Sequence, residues 1–534
     1  MVRATELPIQ TVREGIDATD MANAIFGDGI EVISASYTGD QDSAGIYSNG
    51  DTVSPGVTPG DSGVILSTGD AEDFTNSRGQ ANRVTDRTTD TSGEDNNAQF
   101  NAAASAQSGP GTQTFDAAYL DIDFVPDSDI MTMQFVFSSE EYPEFQNSIY
   151  QDFVGVWVNG VQVDMGIGNG GANPGNINTA NNINMFVDNT GDDFNTEMDG
   201  FTVTLSLTMV VTPDTLNSIR IGIADVSDSS YDSNLLIAGN SVQTSIVAMD
   251  DNIRVDENGS RTFNVLDNDI GPANSTLTVT HINGQAVSVG SVINLPSGQQ
   301  VVLGENGDFT VVGNGVQEDF NFTYEITDGT TSDTGIVNAT SIPCFVAGTM
   351  IATPNGDIPV ETLMPDDLVL TQDDGPQQVR WIGSRAVDAE GDFAPILIRA
   401  GTFGTHGDVM VSPLHRILIR DSLAELLFGE SEVLVAAKDL VNDRSVTRMV
   451  GGTVTYVHLM FDKHQVVFSD GLATESFLPG PQTAKSFEAE IIDEICAIFP
   501  ELDPHTGGGY SPSARRTLKG YEANLWRSTQ EFAA

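Results

Sequence analysis

Cysteine is nearly missing from this chain, with only Cys344 and Cys496 in 534 residues. Two cysteines build no disulfide framework, and their spacing matches no zinc pattern. That leaves one disulfide, two inert thiols, or a reactive group. Lysine is absent before Lys438, and residues 1–343 hold eight arginines against fourteen basic residues afterwards. With 22 basic and 76 acidic residues, a formal charge of -54 excludes nucleic acid and the anionic face of a membrane as non-specific partners, since both need Lys and Arg. No run of 18 apolar residues exists, so no transmembrane segment is expected. The opening Met1-Val-Arg-Ala-Thr-Glu6 has no apolar signal core, so export is expected to use a route without a cleaved N-terminal leader.

The length suits three or four domains at roughly 100–200 residues each. Residues 1–247 are rich in Gly, Asn, Asp, Thr and Ser, with short alternations such as Tyr119-Leu-Asp-Ile-Asp-Phe124 and Met131-Thr-Met-Gln-Phe-Val-Phe137. Period-two alternation between turns predicts antiparallel strands, hence a β-sandwich or jelly-roll-like domain, with one short helix near Met21. Strand signals restart over 248–341, including Ser260-Arg-Thr-Phe-Asn-Val-Leu266, and fit an immunoglobulin-like sandwich. Residues 342–480 stay strand-rich but gain Trp381 and four histidines, giving a third, all-β domain. From Lys485 the period becomes helical, with Phe487, Ile491, Ile492, Ile495 and Ile498 on one stripe, so 481–534 is read as a helical tail. The expected fold class is therefore mainly β.

A thiol beside an imidazole is the minimum for attack on a carbonyl, because the thiolate attacks and the imidazolium can protonate the leaving amine. Cys344 opens the run Pro343-Cys-Phe-Val-Ala-Gly-Thr-Met-Ile-Ala-Thr-Pro-Asn-Gly356, which resembles the start of the Hedgehog/intein (Hint) family. The likeness continues through Ile358-Pro-Val-Glu-Thr-Leu363, Val379-Arg-Trp-Ile-Gly383, Val411-Ser-Pro-Leu-His-Arg-Ile-Leu418 and Val457-His-Leu-Met-Phe-Asp-Lys-His-Gln-Val-Val-Phe468 to Glu475-Ser-Phe477. It is most similar to the bacterial Hedgehog-type subgroup. The resemblance implies an N-to-S acyl shift at the bond between Pro343 and Cys344. It makes Cys344 the nucleophile, and His415 the donor to the departing amide nitrogen. Ser412, which stands where the family has threonine, would hold that imidazole or the scissile backbone, and His464 would sit near the thioester and help the second nucleophile. No His-Asn pair closes the domain, which runs Thr474-Glu-Ser-Phe-Leu-Pro-Gly480, so ligation of two flanks is not expected. The acceptor stays open between water, a thiol and another nucleophile; no cofactor is required, and the chain acts on itself rather than as a turnover enzyme.

Phe135-Val-Phe-Ser-Ser-Glu-Glu-Tyr-Pro-Glu-Phe145, Phe153-Val-Gly-Val-Trp-Val-Asn-Gly160 and Ile223-Ala-Asp-Val-Ser-Asp228 resemble the choice-of-anchor L domain of exported bacterial surface proteins. Residues 248–341 look like cadherin-like repeats, from Val265-Leu-Asp-Asn-Asp269 and Phe322-Thr-Tyr-Glu-Ile-Thr-Asp-Gly329. These likenesses imply an extracellular or cell-surface protein with matrix or surface attachment. The carboxylate-rich turns at Asp225, Asp228 and Asp232, and at Asp267 and Asp269, are candidates for Ca²⁺, which prefers several oxygen ligands; solvated turns are the alternative. A rival to self-processing is a calcium-stabilised adhesion or matrix protein whose Hint module is inactive. A third reading, an enzyme using Glu140 and Glu141 as paired carboxylates, is disfavoured because neighbours on a strand point to opposite faces.

Overall fold

The computed structural model describes residues 2–478 except 85, 109–110, 147, 166, 168–170, 254, 256–259, 274, 315–319, 340–343, 390–393 and 443; beyond 478 it describes 495, 496, 498, 499, 502, 510–518, 523, 526 and 527. Residue contacts divide the chain into two compact units, one comprising Met1–Asp251, Ser260–Asn314 and Phe320–Asn338, the other mainly Ala339–Ala534. The chain is mainly β, as its alternations predict. Among the described residues no helix is long and apolar enough to cross a membrane.

The first unit holds two sandwiches. In the larger, one sheet runs in the order Ile9–Thr11, Ala44–Ser48, Ser62–Ser67, Ser233–Ala238, Ile130–Ser139, Gly200–Thr202 and Phe186–Asp188, with Leu205–Val210 also on Ile130–Ser139. The facing sheet runs Ile30–Thr38, Thr114–Pro126, Asn217–Val226, Phe153–Val158 and Val161–Gln162. Alternation decides the faces: Leu120, Ile122 and Phe124 enter the core while Asp121 and Asp123 do not. They meet Met133, Phe135 and Phe137 from the opposite sheet, each such side chain contributing about 1.5–3 kcal/mol by leaving water. The helix near Met21 is Ala18–Ile25. Asp17 caps it by accepting from Thr19 N and Asp20 N, and Met21, Ala22 and Ile25 form its buried face.

The smaller sandwich sets Asp251–Ile253, Ser332–Ala339, Phe320–Thr327, Thr278–Ile282 and Gln285–Ala286 against Ser260–Asn264, Asp308–Val312, Gln300–Leu303 and Val292–Asn294. Phe309, Phe322 and Tyr324 fill its centre with ring centroids about 6 Å apart. Strand Ser332–Ala339 also packs on the larger sandwich, where Ile336 joins its core. Asp333 fastens that contact. Its Oδ1 accepts from Thr132 Oγ1 at 2.9 Å and Ser206 Oγ at 3.0 Å, and its Oδ2 from Ala248 N at 2.8 Å. Gln134 Nε2 donates to Ser332 O at 2.8 Å. Thr132 and Gln134 are the polar half of the Met131–Phe137 alternation, and the second sandwich covers them.

The second unit contains a six-stranded sheet, ordered Trp381–Asp388, Thr453–Met460, Phe345–Val346, Val409–Val411, Ile396–Ile398 and Val446–Arg448. Its other sheet is built on Met350–Ile351, Val466–Ser469, Leu472–Glu475, Arg416–Arg420 and Glu432–Ala436. Of the stripe read as a helical tail, Ile495 and Ile498 are helical and Ile495 is buried, whereas 481–494 lie outside the described residues. Ile495, Phe499 and Leu502 pack on Trp381, Met460 and Phe477.

Candidate functional site

Strand register builds the site around Cys344. Phe345 pairs with Val411 on one side and Val457 on the other, so the preceding residue, Cys344, falls between Ser412 and His458. The Cys344 amide N–H donates to Ser412 Oγ at 2.7 Å, and Ser412 N returns a bond to Cys344 O at 2.9 Å. On the other flank His458 Nε2 lies 3.5 Å from Cys344 Sγ. Among the described residues neither cysteine forms a disulfide, and Cys344 is buried. Pro343, the expected acyl donor, lies outside the described residues.

His415, three residues past Ser412, is buried with its ring 4.4 Å from the Phe345 ring. Neither ring nitrogen has a hydrogen-bond partner among the described residues. Burial brings its pKa down to about 4; Glu475 opposes that shift, while Arg416 and His464 reinforce it. The imidazole is therefore neutral at pH 7, with neither its ring N–H nor its lone pair engaged among the described residues.

His464 is held elsewhere. Its Nε2 lies 3.1 Å from Ser476 O and 3.4 Å from Glu475 Oε2, while its Nδ1 accepts from Ala514 N at 2.9 Å. These contacts favour the tautomer protonated at Nε2 and occupy both ring nitrogens. The place beside the thiol, expected for His464, is taken by His458. The cause is register: His458 is on the strand paired with Phe345–Val346, while His464 lies past the end of that strand. Glu475, also unforeseen as a site residue, is completely buried; it accepts from Arg416 N at 2.8 Å and meets Arg416 Nη1 at 3.1 Å. Burial pushes its carboxyl up, but Arg416, His464 and His415 together outweigh that and leave it below the ordinary glutamate value. The sequence blocks contained both His458 and Glu475, but only strand pairing shows what each faces.

Trp381 and Phe477 wall His458, with ring centroids 6.4 and 5.4 Å from it. Cys344 itself packs with Val346, Ala389, Val454 and Tyr456. The arrangement offers a shielded thiol, a base within reach of it, and a hydroxyl on the amide nitrogen a thiol attack would expel.

The calcium candidates separate. Asp225 and Asp232 are buried at one end of the larger sandwich, with Asp228 half-buried near them, and Asp232 holds Thr89 N and Oγ1 at 2.7 and 2.9 Å. Asp267 is exposed, whereas Asp269 accepts from Met249 N and Tyr324 Oη inside the smaller sandwich. Among the described residues no group of three or more His, Cys, Asp or Glu has metal-ligand geometry.

Comparison with known proteins gives each region its class. Residues 343–481 match the model of the Hint domain, residues 10–243 that of the choice-of-anchor L domain, and residues 243–340 that of the bacterial Ig domain. This chain thus joins a choice-of-anchor L domain and a bacterial Ig domain to a Hint domain, a module of the self-splicing or autoprocessing kind. Similar solved structures include the MchDnaB-1 intein, at 15% identity over 25% of this chain and 98% of that one, with a TM-score of 0.18. Another is the Msm DnaB1 intein splicing domain bound with zinc, at 14% identity over 24% and 98%, with a TM-score of 0.17. The comparison with curated proteins gives no significant match.

Proposed function

We propose that the Hint domain cuts its own chain before Cys344 by an N-to-S acyl shift. Cys344 Sγ attacks the carbonyl carbon of residue 343; a C–S bond forms, the C–N bond breaks, and the thiol proton ends on the Cys344 nitrogen. His458 takes the proton from the thiol. Ser412 fixes the amide nitrogen, and the neutral His415 relays a proton to it. The observation that carries the reading is the bracket on Cys344, with Ser412 Oγ 2.7 Å from its nitrogen and His458 Nε2 3.5 Å from its sulfur.

A thioester is less stable than an amide, so the shift needs a second step that drains it. A nucleophile, whether water, a thiol or another acceptor, then takes the acyl group and releases or transfers the portion ending at residue 343. The choice-of-anchor L match supports a cell-surface or extracellular setting for that portion, with the Hint domain in the place of an attachment device.

The test is intact mass of the purified chain over time, with and without dithiothreitol, beside Cys344→Ala. The expected outcome is thiol-accelerated division between residues 343 and 344, absent from the variant. An unchanged full-length mass under every condition, or equal cleavage in the variant, overturns the proposal.

A further inference from the structure

At one end of the larger sandwich, strand ends from both sheets bring carboxylates together. Strand Ile130–Ser139 of one sheet runs directly into Glu140 and Glu141, while in the other sheet Asp152 precedes Phe153–Val158 and Asp225 lies at the end of Asn217–Val226. Ala224 pairs with Phe153, so the next rung sets Asp225 beside Asp152. Glu141, Asp152 and Asp225 are each about 1% exposed. Glu141 Oε2 accepts from Asp152 N at 3.3 Å, and Asp152 accepts from Val226 N at 3.2 Å and Ser233 Oγ at 2.6 Å. Asp225 Oδ1, fully buried, has no hydrogen-bond partner among the described residues. Burial and then neighbouring carboxylates, Asp152 foremost for Glu141 and Asp225, raise the affinity of this trio for protons. No arginine or lysine is among the groups acting on any of the three. Buried carboxylates cost several kcal/mol each unless a positive partner offsets them.

We propose that Glu141, Asp152 and Asp225 bind a divalent cation, calcium by the chemistry of the donors. The donor set is all oxygen, with no imidazole or thiolate, which selects a hard ion. The irregular and largely dehydrated setting suits calcium, whereas magnesium demands an octahedron and keeps several waters. Half-buried Asp228, whose charge acts on Glu141 and Asp152, supplies a fourth carboxylate. Among the described residues no three of these groups are already gathered in metal-ligand geometry, so binding requires the carboxylates to draw together while the strand ladders hold the backbone. The ion would staple one sheet to the other, because Glu141 extends a strand of the first and Asp152 and Asp225 belong to the second.

The experiment uses the full-length chain stripped with a chelator, titrated with CaCl₂ and separately MgCl₂ by calorimetry, and then unfolded by heat. Calcium at a hundredfold excess over its dissociation constant is expected to raise the transition of the N-terminal unit by about 5–10 °C, with magnesium much weaker. Asp225→Asn is expected to lose that shift while unfolding no lower than wild type without ions, since it removes one buried charge. Glu141→Gln serves the same purpose should Asp225→Asn fail to fold. No calcium binding by wild type, or an equal calcium shift in wild type and variants, overturns the proposal.

Discussion

Glu475 of the Hint unit and the buried carboxylates Glu140 and Asp333 of the N-terminal unit lie equally deep with opposite results. In the N-terminal unit burial lifts Glu140 up to about 10, Asp333 and Asp269 to about 7, and Asp199 and Asp232 to about 6. In the Hint unit Glu475 is no more exposed, yet it titrates below its ordinary value. The difference is the supply of cations. Arg416 touches Glu475, and His464 adds a second donor, whereas 1–343 offers eight arginines to a far larger acidic population. Depth of burial sets how strongly a carboxylate responds; its neighbours set the sign.

Removing Glu475 should produce the largest change. Glu475→Gln leaves Arg416 and His464 without their carboxylate, and the Hint unit is expected to lose about 3 kcal/mol in denaturant unfolding. If its stability holds, the ion pair is not what separates the two regions. Acidity should then divide the units by direction. His415 has its folded value depressed to about 4, so the unfolded chain binds the proton first; the Hint unit should lose roughly 3 kcal/mol as pH falls from about 6.5 to 4. The N-terminal carboxylates have raised folded values, so their contribution is present below pH 4 and is lost as pH rises towards about 7. Thermal scans from pH 4 to 8 should show two transitions moving oppositely, and parallel movement would break the contrast.

Smaller effects sharpen the chemistry. His458→Phe should slow cleavage about a hundredfold, with unfolding little changed, if the imidazole beside the sulfur is the base. Ser412→Ala should slow it roughly tenfold, as expected for a group that only holds the amide nitrogen. His464→Gln should lower Hint stability while leaving the cleavage rate nearly intact. A rate loss as large as that of His458→Phe would return His464 to the thioester.

Much of this was legible in the sequence where chemistry is local. The alternation through Leu120, Ile122 and Phe124 assigns a core face, and Asp17 ahead of Met21 marks a helix start. The block from Ser412 to His415 places a hydroxyl and an imidazole three residues apart on one loop, beside a strand that reaches Cys344. What depended on pairing was not legible. His458 and His464 share one sequence block, and only the register of Phe345 with Val457 shows which of them meets the thiol. The alternation marks Thr132 and Gln134 only as the polar half of a strand, and nothing local signals that Asp333, two hundred residues on, will cover them.

The strand Ser332–Ala339 ends just ahead of the proposed cut, so a fragment finishing at residue 343 carries only 340–343 beyond it. That strand pairs with neighbours on both sides, Asp251–Ile253 and Phe320–Thr327, and Asp333 and Ile336 bind it to the larger sandwich as well. Were the proposed transfer to take place, the acceptor would be joined four residues beyond a strand that is hydrogen-bonded on both sides. Any load on that join would reach the fragment through this strand and the two neighbours that hold it.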